Sequence, residues 1–136
     1  MAAKLNDFRL AILTPIGSNI YPKNVSCFFN LLSALPQVFN PASRFFWLEG
    51  GPYLVQNRTY LLRAAIMQDF SQKFDYLLWI DADQVFGIEH VAYLVASAAM
   101  GNLDAVSGLY YNRHGDRHSM AGRIVNENND IYWLRE

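Results

Sequence analysis

At 136 residues the chain has the length of one domain, enough to bury about two thirds of the surface that its unfolded form exposes. Hydrophobic residues make up 52% and aromatic residues 15%, spread among short runs, which excludes a disordered chain and predicts a globular core. The formal net charge is −1 with acids and bases interspersed, which excludes a general electrostatic grip on nucleic acid or an anionic membrane.

In chain order, residues 9–14 form a short apolar strand punctuated by Pro15 and Gly17, with Ser18, Asn19 and Pro22 in the following loop. Val25, Phe28, Phe29, Leu32 and Leu35 recur at spacings of three and four and predict a helix that ends just before Pro36. Residues 44–48 read as a second strand closed by Gly50-Gly51-Pro52, and 56–70 as a second helix with Leu62, Ala65, Ile66 and Phe70 on one face. A third strand runs through Phe74-Asp75-Tyr76-Leu77-Leu78-Trp79-Ile80, with Trp79 expected in the core. Ile88, Val91, Leu94, Val95 and Ala98 mark a third helix stopped by Gly101, and residues 105–110 form the next strand. The segment 114–136 is polar until Ile131-Tyr132-Trp133-Leu134, which has the composition of a strand. The alternation β-α-β-α-β-α-β predicts an α/β fold, an open and mainly parallel sheet with helices on both faces, in one domain spanning 1–136.

The third strand ends in Asp81-Ala82-Asp83, two carboxylates spaced by one residue. In an open parallel sheet, ligands bind outside the carboxyl ends of the strands, and residues i and i+2 of a strand face one side. Two acids aimed together repel unless a cation relieves them, and a hard divalent ion, Mg²⁺ or Mn²⁺ carrying a diphosphate, is the natural tenant.

The single cysteine, Cys27, excludes a disulfide within the chain, and packing beside Phe28 and Phe29 is a simpler role for it than that of a reactive thiol. The first residues lack the layout of a signal peptide and no apolar run is long enough to cross a bilayer, so a cytoplasmic protein without a transmembrane segment is expected. The sequons Asn24-Val25-Ser26 and Asn57-Arg58-Thr59 carry no weight in such a protein.

Over residues 9–113 the chain resembles GT-A-type, family 2-like glycosyltransferases that use nucleotide-diphospho-sugars. The resemblance rests on the first strand ending in Thr14-Pro15, the helix opening near Asn57-Arg58, the Asp-x-Asp after Leu77-Leu78-Trp79-Ile80, and Asp104-Ala105-Val106-Ser107-Gly108-Leu109-Tyr110-Tyr111-Asn112-Arg113. It implies that Thr14, Pro15 and Ile16 hold the nucleobase and ribose of a UDP- or GDP-sugar. It further implies that Asp83 binds Mn²⁺ or Mg²⁺ directly, that Asp81 bonds ribose or a metal-bound water, that Ala82 between them belongs to the donor-binding set, and that Arg58 or Arg63 adds charge at the phosphates. The family's helix carries Arg before Asn, whereas here Asn57 precedes Arg58, which leaves open which side chain faces the donor. Only 53 residues follow Asp83, so the acceptor region and its catalytic carboxylate are expected to be largely missing, and the catalytic base has no assignment. The acceptor, a glycan, lipid or protein, has none either; self-association through an exposed sheet edge is a further expectation.

Other readings compete. Asp81-Ala82-Asp83-Gln84-Val85 also satisfies the first motif of haloacid dehalogenase-like phosphatases, but no Lys follows Lys73 and no acidic pair closes the chain. A non-catalytic nucleotide-sugar-binding remnant or interaction module is a third reading. At residue level, the two acids could form a strand-end turn or cap the next helix. Arg58 and Arg63 could line a solvated helix face; His114 and His118, near Arg113, Arg117 and Arg123, could bind phosphate or complete the metal shell but read more simply as a polar loop; and Tyr110 and Tyr111 could stack on a sugar or base but read more simply as packing at a strand end.

Overall fold

Seven consecutive residues, Leu10–Ile16, form strand β1, and every one of them is buried. Such a continuous apolar run is what a strand covered on both faces requires. The computed structural model describes residues 4–17, 20, 22–50, 54–67 and 73–108, together with the backbone of 122–124 and 131–133. Around β1 the elements are helix α1 (Pro22–Val38), strand β2 (Arg44–Glu49), helix α2 (Leu54–Met67), strand β3 (Tyr76–Trp79) and helix α3 (Ile88–Gly101), with a 3₁₀ turn at Leu5–Asp7 ahead of them. The sheet order is β2-β1-β3, with both pairings parallel: Thr14 sits opposite Trp47, and Leu13 opposite Trp79. The strand starts are pinned by side chains, because Ser43 Oγ accepts the Leu10 amide N–H at 3.0 Å and the Asp75 carboxylate accepts that of Arg9 at 2.7 Å.

The alternation of β1 divides the core in two. Leu10 and Ile12 pack with Phe28, Leu31, Leu35 and Phe39 from the α1 side and with Val91 and Val95 from α3. Ala11 and Leu13 pack on the opposite face against Leu61 and Ala65 of α2. Helices therefore cover both faces, as expected. The step from β1 to β2 crosses the sheet one way and the step from β2 to β3 the other, so crossovers of a single hand put α1 and α2 on opposite faces.

Several expectations shift. The buried stripe of α1 is Asn24, Phe28, Leu31 and Leu35, not the one through Val25, Phe29 and Leu32, which are exposed. The helix is apolar over a wide arc, and Asn24 is drawn inward because its amide donates to the Gln84 carbonyl at 2.8 Å. It also runs past Pro36, whose missing N–H and ring disturb only the Leu32 carbonyl, on the exposed side of the last turn. In α2 the buried pair is Leu61 and Ala65, while Ile66 is exposed and Phe70 lies outside the described residues. Helix α3 ends at Gly101, as expected, and is capped by Asn102, which adopts the left-handed conformation at φ 47° and donates its N–H to Ala98 O.

The expected strand at 105–110 is not formed by residues 105–108; 109 and 110 lie outside the described residues. Topology supplies the reason. Helix α3 packs on the α1 face, so a parallel strand placed outside β3 would be reached by a crossover of the opposite hand to the other two. Residues 104–136 form a separate compact unit, in which strand β4 (Gly122–Ile124) pairs antiparallel with strand β5 (Ile131–Trp133), the second matching the expected strand. No helix among the described residues is long and apolar enough to cross a membrane.

Candidate functional site

The β1–β3 ladder ends where the chemistry gathers. Ile80 N–H donates to Leu13 O at 3.1 Å, so the odd residues of β1 direct their backbone groups towards β3. The next odd residue is Pro15, which has no N–H to give. Strand β3 has already left the sheet there, because Asp81-Ala82-Asp83-Gln84 forms a turn closed by Gln84 N–H on Asp81 O at 3.2 Å. The carboxyl ends of β1 and β3 thus diverge, with Thr14, Pro15 and Ile16, all buried, at the end of β1 and the acids in the turn after β3. The acids occupy a turn, not a strand, so shared strand parity does not orient them. Neither caps α3, whose N-cap is Gly87.

Asp81 is held by α2. Arg58 Nη2 donates to Asp81 Oδ1 at 2.9 Å, and the two side chains are 43% and 45% exposed. At that exposure the pair contributes about 0–1 kcal/mol to folding. The Arg58 guanidinium also lies 5.7 Å from the ring centroid of Trp79, a cation–π contact. Trp79 is 37% exposed, not a core residue: it shares the α2 face of β3 with Leu77, and β3 is an edge strand. The signal was present in the sequence, since Trp79 stands two residues before Asp81. Arg58 Nε is buried and has no acceptor among the described residues.

The order of Asn57 and Arg58 resolves by geometry. Arg58 reaches Asp81, while the Asn57 amide lies against Gly50 beyond the end of β2, where a Cβ on Gly50 would meet Asn57 Oδ1 at 2.7 Å. Arg63 stands five residues beyond Arg58, about 140° round the helix, and is exposed away from the acids. Asp83 is exposed in the turn and Ala82 is buried beneath it.

Thr14 faces elsewhere. Its side chain is fully buried, and with Ile16 it lines an apolar pocket of about 170 Å³ on the α1 face, walled by Phe28, Phe29, Leu32, Phe45 and Trp47. Thr14 Oγ1 has no hydrogen-bond partner among the described residues. The structure thus brings together Arg58 and Asp81, with Asp83 two residues away, and turns the Thr14 side chain from them. Asn24, which the sequence marked only as part of a sequon, fixes the loop after the acids through its bond to Gln84. Tyr110, Tyr111, Arg113, His114, Arg117 and His118 lie outside the described residues, as does the side chain of Arg123.

Among the described residues no group of three or more His, Cys, Asp or Glu converges on one point. Two carboxylates nonetheless suit Mg²⁺ or Mn²⁺, which are commonly bound by one or two protein carboxylates with phosphate and water completing the shell. Asp81 keeps Oδ2 outside its bond to Arg58, and Asp83 is an exposed residue two positions further along the turn. The donor set is hard oxygen throughout. No family model, curated protein or solved structure matches the chain.

Proposed function

We propose that the chain is a GT-A-like donor domain that binds a nucleotide-diphospho-sugar through a divalent cation and transfers the sugar. The observation that carries this reading is the Arg58–Asp81 pair at the strand tips, two residues from Asp83. A metal-bound diphosphate needs carboxylates for the cation and a guanidinium for the anion, and Asp81 and Arg58 at the strand tips supply one of each within a hydrogen bond. Its place outside the carboxyl ends of parallel strands is where open α/β sheets take ligands.

In this reading Asp83 and Asp81 would hold Mg²⁺ or Mn²⁺, which would supply Lewis-acid neutralisation of a departing diphosphate. Arg58 binds phosphate oxygens through its planar fork. The backbone of Thr14, Pro15 and Ile16, rather than the inward-turned Thr14 hydroxyl, borders the nucleotide. The transferred sugar goes to an acceptor of the glycan, lipid or protein class.

Calorimetric titration of UDP and GDP in the presence of Mn²⁺ tests the reading. Wild type binds one of them, and Asp83→Ala weakens that binding at least about tenfold, the scale of a lost charge-assisted contact. Absence of nucleotide binding by the wild type contradicts the proposal. Release or transfer of sugar from the bound donor then separates a transferase from a binding remnant.

A further inference from the structure

The Arg58–Asp81 pair creates a conflict within the site it serves. Arg58 occupies Asp81 Oδ1 with a positive charge, at a carboxylate proposed to hold a dication. The same guanidinium is under-used, because Nη2 is committed to Asp81 while Nε is buried without an acceptor among the described residues. Moving it onto an anion therefore exchanges one acceptor for several. Trp79 provides the surface over which it can move, since the guanidinium rests 5.7 Å from that ring and its side chain is nearly half exposed. The bond it leaves is also weak, as half-exposed ion pairs are.

We infer that Arg58 is a displaceable internal counter-ion: it holds Asp81 in the ligand-free chain and transfers to the diphosphate, releasing Asp81 to the divalent cation. This inference rests on the nucleotide-diphosphate reading above and adds a coupling to it. The anion removes the competitor from the metal's ligand, and the metal removes the carboxylate that competes for Arg58. Each therefore raises the affinity of the other by the same factor. The cation alone binds poorly, and so does the nucleotide alone.

The test is a pair of binding measurements on the full chain. Mn²⁺ alone is titrated by its electron paramagnetic resonance signal, and UDP or GDP by calorimetry with and without Mn²⁺. In Arg58→Gln, Mn²⁺ alone binds about three- to fivefold tighter, because the competing cation is gone. Nucleotide with Mn²⁺ binds at least about tenfold weaker, because its phosphate contact is gone. The two changes have opposite signs, which a merely disrupted fold cannot produce. If the glutamine variant does not fold, Arg58→Lys carries the test: it keeps the charge, leaves Mn²⁺ affinity near wild type and weakens nucleotide severalfold.

If wild type binds both ligands but Arg58→Gln leaves Mn²⁺ affinity unchanged or lowers it, the counter-ion role is overturned while the proposed function stands. The counter-ion role is likewise overturned if Arg58→Lys weakens Mn²⁺ and nucleotide alike. If wild type binds neither ligand, the functional reading fails and the inference with it.

Discussion

Thr14 and Asp81 lie near the tips of adjacent strands, yet their side chains serve different faces of the sheet. The Thr14 hydroxyl is fully buried with no partner among the described residues, so it contributes a desolvated polar group to the α1-face core. Replacing both the donor and its need for a partner is favourable, so Thr14→Val raises stability by about 1 kcal/mol in urea denaturation and leaves nucleotide binding intact. Asp81→Asn breaks an ion pair that is half in water and lowers stability by less than about 1 kcal/mol, although it falls in the same site. A much larger loss in the same assay would show that the pair is structural. Asp81 and Asp83 were legible in the sequence because a run of apolar residues that stops at two closely spaced acids marks a strand tip with charge to neutralise. The partner of Asp81 was not: Arg58 and Arg63 are equivalent on a helix surface until the helix is docked, and only docking decides which reaches the strand tip.

At the level of elements, the sequence specified where helices and strands lie better than which way they face. Helix α1 carries apolar residues at 25, 28, 29, 31, 32 and 35, so more than one stripe satisfies a helical period. The choice was made by a polar residue, Asn24, which finds its partner only after Gln84 is brought beside it. The two stripes predict different mutants. Leu31→Ala, at a site with no exposure, costs about 2–5 kcal/mol, whereas Val25→Ala on the exposed flank costs less than about 1 kcal/mol. Comparable losses at both positions would place α1 in the other rotation. The end of α3 gives a second contrast, because Asn102 holds φ at 47°. Asn102→Gly keeps or raises stability, and Asn102→Val lowers it by about 1–2 kcal/mol, read from thermal or urea midpoints. The stop at Gly101 was legible, whereas the left-handed cap falls on the adjacent Asn102, since both Gly and Asn tolerate that conformation.

At the largest scale, one central strand organises the unit that ends at Leu103. β1 is apolar along its length, so both of its faces are covered; its parity sends α1 and α3 to one core cluster and α2 to the other. Pro15 then ends the ladder on the β3 side, and the turn at Asp81-Ala82-Asp83-Gln84 carries the acids out of the sheet at that level. The parallel α/β character was legible because β1 reads as an uninterrupted apolar run and helical periods separate the strands. Residues 105–108 were not, since their composition suits a strand and they form none. The proposed site requires a crevice between the tips of β1 and β3, and the chain's three indoles, Trp47, Trp79 and Trp133, give separate signals from which to watch it. The most direct measurement is the nitrogen–proton spectrum of the indole N–H groups as UDP or GDP is added with Mg²⁺. The Trp79 signal, from the ring beside Arg58, is expected to move with nucleotide and to require Mg²⁺ to do so. A Trp79 signal that stays in place while nucleotide binds, or that moves equally without Mg²⁺, would contradict metal-assisted diphosphate binding at this crevice.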